Sequence, residues 1–372
     1  MNGFYWIYLV MLFYLFGYEF AKTTETKRLI YYGAVGFLVM IFTLQDCSVS
    51  FDIAEYMRQW TIIPKLSLQK MLNHKFEIGY VLLCWFLEKT FASDRVLLIV
   101  LSVLIMLPFS RSFEKETENP MIAMMAFLAL GMYMHAIVFW RQLVSMALLT
   151  YSYRYIRERK LLPFLWIVLM AMTFHKVAVV FLGLYIVYNV PINKWLLIAC
   201  VFCAVVLYFL GKPIIEFGIA VIYPRYKNSP RVARGGENLL AVIWIIVFLS
   251  YWVLHDRMHE GKIRLPFLML LIAATIQPIC FSFYNWQRVV LPFRVALVPM
   301  TTHLYMALFE KTEGNRILLL LEKFAPPFYA FVRPMYGKRW FRVATLLILF
   351  AVLFVWYESE LEGAVYTMAP II

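Results

Sequence analysis

MIAMMAFLALGMYMHAIVFWRQLVSMALLTYSY, residues 121–153, contains a single Asp, Glu, Lys or Arg, and that residue is Arg141. As one continuous helix rising about 1.5 Å per residue the stretch would measure about 50 Å, far more than a hydrocarbon core of about 30 Å. Two spans are therefore expected, meeting at the outer surface near Arg141. The same character extends outward over the whole chain. Its 372 residues are 63% hydrophobic and 15% charged, with a mean hydropathy of +0.74. One soluble core cannot bury that much apolar surface, so the expected fold is an all-α polytopic integral membrane protein, residues 1–372 forming a single transmembrane domain.

Candidate segments lie near 3–20, 29–44, 77–91, 95–110, 120–139, 142–156, 161–174, 177–189, 195–211, 239–255, 265–283, 290–309 and 343–357. The first has no basic leader and no small-residue cleavage site, so it is expected to be retained. Short loops rich in Lys and Arg favour the cytoplasm, and KTTETKR (22–28), RSFEKETEN (111–119), RERK (157–160) and HDRMHEGKIR (255–264) are such loops. The first two share a side only if an even number of spans separates them, yet three candidates intervene. FEIGYVLLCWFLEKTF (76–91), the shortest and most charged, is expected to be re-entrant or interfacial. About twelve transmembrane helices remain, with both termini outside. Residues 310–342 mix basic and apolar residues around Pro326 and Pro327 and read as a cytoplasmic amphipathic segment.

Several polar stretches then converge on the outer side: QDCSVSFDIAEYMRQW (45–60), KFEIGY (75–80), FWRQ (139–142), FHK (174–176), YNWQRVVLPFR (284–294) and a basic extracytoplasmic loop, 212–238. That loop carries Arg225, Arg231 and Arg234. Net positive charge on the outer face runs against the usual bias. It suits a phosphate-bearing guest, since a guanidinium donates paired hydrogen bonds and keeps its charge. The five cysteines lack metal-ligand spacing, so neither a metal nor a disulfide framework is expected. The net charge of +13 fits cytoplasmic loops and this outer loop better than nucleic-acid binding. Trp60, Tyr133 and Trp140 are among the aromatics expected at the membrane interfaces.

FDIAEYMRQW, FEIGY, FWRQLVSMALLTYSYRYI, FLWIVLMAMTFHKVAVVFL and QRVVLPFR, in that order, resemble the EpsG-like group of Wzy-type bacterial polysaccharide polymerases. The matching positions are Asp52 and Tyr56, Glu77 and Tyr80, Arg141 and Gln142, His175, and Arg288. The chain departs from the family pattern ahead of Asp52, where Asp46 and Ser50-Phe51 replace an Arg and a Gly-Thr, so the grip on substrate there is expected to differ.

The resemblance implies a membrane glycosyltransferase of GT-C-like architecture that needs no metal or cofactor. It would sit in the bacterial inner membrane with its active site facing the periplasm. Its reaction would move a glycan from undecaprenyl diphosphate onto a lipid-linked repeat unit, with membrane lipid around it and a chain-length regulator and a flippase as partners. Charge building on the leaving diphosphate calls for fixed cations, and Arg141, Arg288, Arg294 and Lys176 with His175 could supply them. Glu77 or Asp52 could orient the acceptor hydroxyl, with His175 as the competing base. Tyr56, Tyr80, Gln142 and the loop arginines would contact substrate. Simpler roles stay open: Arg141 setting helix depth, Glu77 favouring a helix N-terminus, Asp52 as a solvated carboxylate. Two other activities also stay open, a membrane O-acyltransferase with His175 as base and a lipid-linked oligosaccharide flippase.

Overall fold

The computed structural model describes residues 3–47, 50–222, 237–281, 286–309 and 315–363. Every regular element among them is helical. The chain divides into two compact units, one formed by Met1–Val179 with Leu308–Ile372 and the other by Val180–Ala307.

The first unit opens with α1 (Gly3–Phe20), α2 (Thr24–Leu44), α3 (Phe51–Ile62), α4 (Leu68–Leu72), α5 (Ile78–Phe91) and α6 (Asp94–Glu116). It continues with α7 (Pro120–Ala129), α8 (Met132–Val138), α9 (Trp140–Leu149), α10 (Tyr153–Arg157) and α11 (Leu161–Met172). The second unit holds α12 (Leu182–Val187), α13 (Lys194–Ile222), α14 (Glu237–Leu254), α15 (Gly261–Ile276), α16 (Gln287–Arg294) and most of α17 (Leu297–Phe309). The chain then returns to the first unit with α18 (Arg316–Phe324), α19 (Pro326–Val332) and α20 (Arg339–Gly363).

The run 121–153 is broken, as its length demands, and it is broken more than once. Gly131 takes φ 72°, a left-handed conformation that an L side chain disfavours, and α7 and α8 bend by 63° about it. The ring Nδ1 of His135 lies 2.9 Å from the Gly131 carbonyl and donates to it. The same carbonyl also accepts the His135 amide at 3.0 Å, the first backbone bond of α8. A second break falls at Phe139, whose φ of −105° and ψ of 59° end α8 and start α9, so Arg141 lies in the first turn of α9. α7 is buried from Met121 to Ala129. Trp140 and Tyr133 are fully buried and Trp60 nearly so, so these three line the protein interior instead of a lipid interface. Hydropathy registers their apolar rings but cannot tell a protein neighbour from a lipid one.

Among the described residues, six helices are long and apolar enough to cross a membrane: Thr24–Leu44, Asp94–Glu116, Lys194–Ile214, Leu239–Arg257, Gly261–Phe281 and Gln287–Phe309. Counting the bent α7–α8 pair makes seven. Trp6–Phe20, Leu161–Met172 and Lys176–Val187 are shorter apolar helices. The expected twelve is not reached by this measure because several apolar runs are cut into pieces. Residues 142–156, for example, form α9, a 3-10 turn at Thr150–Ser152 and α10.

Polar contacts sort the first unit into two ends. At one end, Arg157 makes a two-bonded pair with Glu116 at 2.6 and 2.9 Å. Tyr32 donates to Glu114 at 2.7 Å, and Arg28 pairs with the same carboxylate at 3.3 Å. Glu19, 1% exposed, accepts from Asn119 at 2.8 Å and pairs with Arg342 at 2.8 Å, joining α1, the start of α7 and the start of α20. At the opposite end, Arg95 of α6 donates to the carbonyls of Thr43 and Gln45 at 2.9 and 3.2 Å, capping the last turn of α2. Phe42 there lies 6.4 Å from the Trp140 ring. α5 starts beside Arg141 and ends at Ala92, two residues before α6 begins. Since α6 begins beside the end of α2, the chain enters and leaves α5 at that one end.

Around α18 to α20, Leu318, Val332 and Tyr336 form a small core with Phe309, Tyr329 and Phe341, while Leu319, Leu320, Phe324, Phe328 and Phe331 face outward. The first residues of the expected amphipathic segment, 310–314, lie outside the described residues. In the second unit, α13 continues through Lys212 to Ile222, so the first part of the stretch read as a basic loop is helical. Arg264 at the start of α15 donates to the carbonyls of Tyr188 and Val190 at 2.9 and 2.6 Å.

Candidate functional site

α3 begins at Ser50, whose hydroxyl accepts from the Ile53 amide at 3.2 Å and satisfies a first-turn donor. The helix is amphipathic, and its two faces have different work. Ile53, Tyr56 and Trp60 are buried, whereas Glu55 and Arg58 point outward, three residues apart. Asp52, one turn before Tyr56, is half-buried.

Tyr56 stacks on Trp140 with centroids 5.0 Å apart and planes at 23°. Phe76 and Tyr80 close the group, each with its ring centre within 6 Å of Tyr56 (5.6 and 5.7 Å). These four rings form a platform for Arg141. Its guanidinium carbon lies 4.0 Å from the Phe76 ring centre and 5.6 Å from that of Tyr56, within cation–π range. Arg141 is ion-paired to Glu77, with only 12% and 11% of the two side chains exposed. The second oxygen of Glu77 accepts from the Lys176 amide at 3.2 Å. The Nε–H of Arg141 is buried and has no hydrogen-bond partner among the described residues.

The turn after α11 is held against α5 by close backbone contact. The Gly79 amide donates to the Thr173 carbonyl at 2.8 Å. A Cβ on Gly79 would lie 2.8 Å from that same oxygen and 2.5 Å from the Thr173 hydroxyl. Glycine at 79 is thus a condition for this approach, and the approach brings Lys176 to Glu77. His175 is buried in this turn, while the Lys176 side chain is exposed.

A second network adjoins the first. Glu55 accepts two bonds from Arg58 at 2.8 and 2.9 Å, one from Gln59 at 2.9 Å, and one from Lys75. The Arg58 bonds, helped by Lys75 and Gln59, lower the Glu55 carboxyl to about 2. His74 bonds through Nε2 to Gln59 at 3.0 Å and accepts the Phe76 amide proton at Nδ1, 3.0 Å. Burial lowers its pKa below the ordinary histidine value, and the charges of Lys75 and Arg141 act in the same direction.

Seven of the residues singled out in the sequence therefore lie in or around one arrangement: Tyr56, Glu77, Tyr80, Arg141, Gln142, His175 and Lys176. Gln142 follows Arg141 in α9 and is buried. Arg288, exposed, and Arg294, buried, belong to the second unit. Arg225, Arg231 and Arg234 fall outside the described residues. Sequence reasoning missed Glu55, Arg58, Gln59, His74, Lys75 and Phe76 as participants. The spacing of Glu55, Arg58 and Gln59 at i, i+3 and i+4 was a signal for part of this set. His74 offered none, because its partners come from a different helix.

The EpsG family model matches residues 28–359. No curated protein and no solved structure matches the chain. The matched stretch includes every residue of the arrangement just described.

Proposed function

The chain belongs to the EpsG family, whose membership points to a polysaccharide-polymerase-like function, and we propose on that footing that it is a lipid-linked glycan polymerase. It transfers a growing chain from undecaprenyl diphosphate to the sugar of a lipid-linked repeat unit, at the periplasmic face of the bacterial inner membrane and without a metal. The observation that carries this reading is the Glu77–Arg141 pair on its aromatic platform.

Breaking a glycosyl–diphosphate bond builds negative charge on the departing oxygens. A fixed guanidinium aimed at that charge stabilises the transition state more than the ground state. Glu77 uses one side of the Arg141 fork, while the Nε–H keeps donor capacity. The Lys176 ammonium, exposed next to the amide that Glu77 accepts, adds a second cation. Because both Glu77 oxygens already accept protein hydrogen bonds, its role is to orient Arg141. Asp52, on the Tyr56 side of α3, is then the carboxylate for the acceptor hydroxyl, with His175 as the competing base.

The charge distribution supports the outer-face assignment. The end of the first unit that gathers the 22–28, 111–119 and 157–160 loops is richer in Lys and Arg, which favours the cytoplasm. Arg141 and Glu77 sit at the other end. Deleting the gene and running the surface polysaccharide on a gel tests the reading. Loss of long chains, with single repeat units still displayed, is expected; unchanged chain lengths would overturn it.

A further inference from the structure

His74 is absent from every motif that carries the family resemblance, yet its hydrogen bonds reach both networks at the site. It lies in the short link between α4 and α5, where Asn73 ends α4 and Glu77 caps α5. Its two ring nitrogens have defined roles. The Phe76 amide can only donate, so Nδ1 must be an unprotonated acceptor. The proton of the neutral ring therefore sits on Nε2 and is donated to the Gln59 carbonyl oxygen. The Gln59 amide nitrogen in turn donates to Glu55. A directed chain results, running from Phe76 through His74 and Gln59 to Glu55.

What this chain holds is the approach to Arg141. The bond to the Phe76 amide fixes the turn that delivers Phe76 and Glu77, and these are respectively the ring under the guanidinium and its ion-pair partner. We infer that His74 is a positioning residue: as a neutral imidazole it keeps Phe76 and Glu77, and through them Arg141, in the geometry the reaction uses. This rests on the reading of Arg141 given above. Protonation would put a second N–H against the Phe76 amide and break the link. Glu55 on α3, Lys75 on its own stretch of chain and Arg141 on α9 act on the ring, and Arg58 and Glu77 are the ion-pair partners of Glu55 and Arg141. Lys75 and Arg141 oppose the imidazolium and Glu55 favours it; burial also opposes it, so the neutral form persists into mildly acidic conditions.

The test uses membranes from a gene-deleted strain that carries each variant at matched protein level. The readout is extension of the membranes' own lipid-linked glycan on gels, from about pH 5 to about pH 8. His74→Ala is expected to slow extension about tenfold at neutral pH, the scale of one lost hydrogen bond that leaves a buried donor unpaired. His74→Asn places a carbonyl oxygen where Nδ1 was and can accept the amide two residues on. It should restore the neutral rate and remove the acid fall expected of the unaltered protein. His74→Gln keeps only the reach to Gln59 and should be as slow as His74→Ala. A full rate in His74→Ala overturns the inference, as does a slow His74→Asn or one that keeps the acid fall. Should His74→Ala fail to accumulate, the contrast between the Asn and Gln variants decides. Arg141→Ala runs alongside: if it extends glycan normally, the reading of Arg141 fails and this inference with it. If it is inactive while His74→Ala is not, only the role of His74 is lost.

Discussion

Glu77 accepts a hydrogen bond from Arg141 on one carboxylate oxygen and the Lys176 amide proton on the other, so one side chain ties α5 to both α9 and the turn after α11. These three segments are far apart in sequence. Their meeting point is a charge pair with little access to water, which makes its energetics asymmetric.

Removing either partner leaves an uncompensated buried charge. Arg141→Ala should therefore destabilise the protein by about 3 to 5 kcal/mol, read as a lower melting temperature in detergent. The double variant Glu77→Gln with Arg141→Met, which removes both charges and keeps volume, should recover most of that stability. It should not recover glycan extension, which on the proposed reading uses the cation and is expected to fall at least about a hundredfold. Full extension in the double variant would show the pair to be structural. Arg141→Lys should also extend poorly, since an ammonium keeps the charge but loses the planar fork.

Gly79→Ala should loosen α5 from the 173–176 turn. The added methyl would meet the Thr173 carbonyl oxygen at 2.8 Å as well as its hydroxyl at 2.5 Å. Overpacking of this kind costs about 1 to 3 kcal/mol. Trimming the hydroxyl with Thr173→Ala leaves the backbone oxygen in place, so the Gly79→Ala/Thr173→Ala pair should remain destabilised and slow. A melting temperature in the double variant equal to that of the unaltered protein would contradict this packing.

The Glu55 carboxyl, lowered to about 2, is held there mainly by Arg58. A depressed carboxyl stabilises the fold at pH above its unfolded value of about 4.3, and that contribution fades as pH falls through the folded value. Glu55→Gln should thus lower the melting temperature at neutral pH by a small amount, because the pair is partly exposed. The difference from the unaltered protein should shrink between about pH 4 and about pH 2. A difference that does not change with pH would mean that the carboxylate charge is not what matters.

Labelling of single cysteines tests the placement of the two ends. In a cysteine-free background, Lys70→Cys beside the site and Lys160→Cys at the basic end are both exposed positions. An impermeant thiol reagent should reach Lys70→Cys in intact spheroplasts, and Lys160→Cys only after the membrane is opened. The reverse pattern would invert the assignment of faces.

Much of the architecture was legible in the sequence. Segment length against membrane thickness required a break in 121–153, and the order of Asp52, Glu77, Arg141 and His175 along the chain pointed to one site. The position of the breaks was another matter. Gly131 is an ordinary sequence signal for a helix end, but nothing local to the sequence specifies the 63° bend there or the second break at Phe139.

By itself, then, the sequence determined that this is a helical, apolar chain of the EpsG family, because composition, segment length and motif order are properties of the chain alone. Only the tertiary structure decided what each polar residue contacts. Glu77 read as a charged residue opening a helix, and the structure joined its two oxygens to Arg141 and the Lys176 amide; Trp140 read as an interfacial ring until it proved to be the buried partner of Tyr56. His74 carried no signal until Phe76 and Gln59 fixed the roles of its two nitrogens. The physical reason is common to all three. Hydrogen bonds and ring contacts depend on distance and direction between segments, and no local pattern along the chain encodes either.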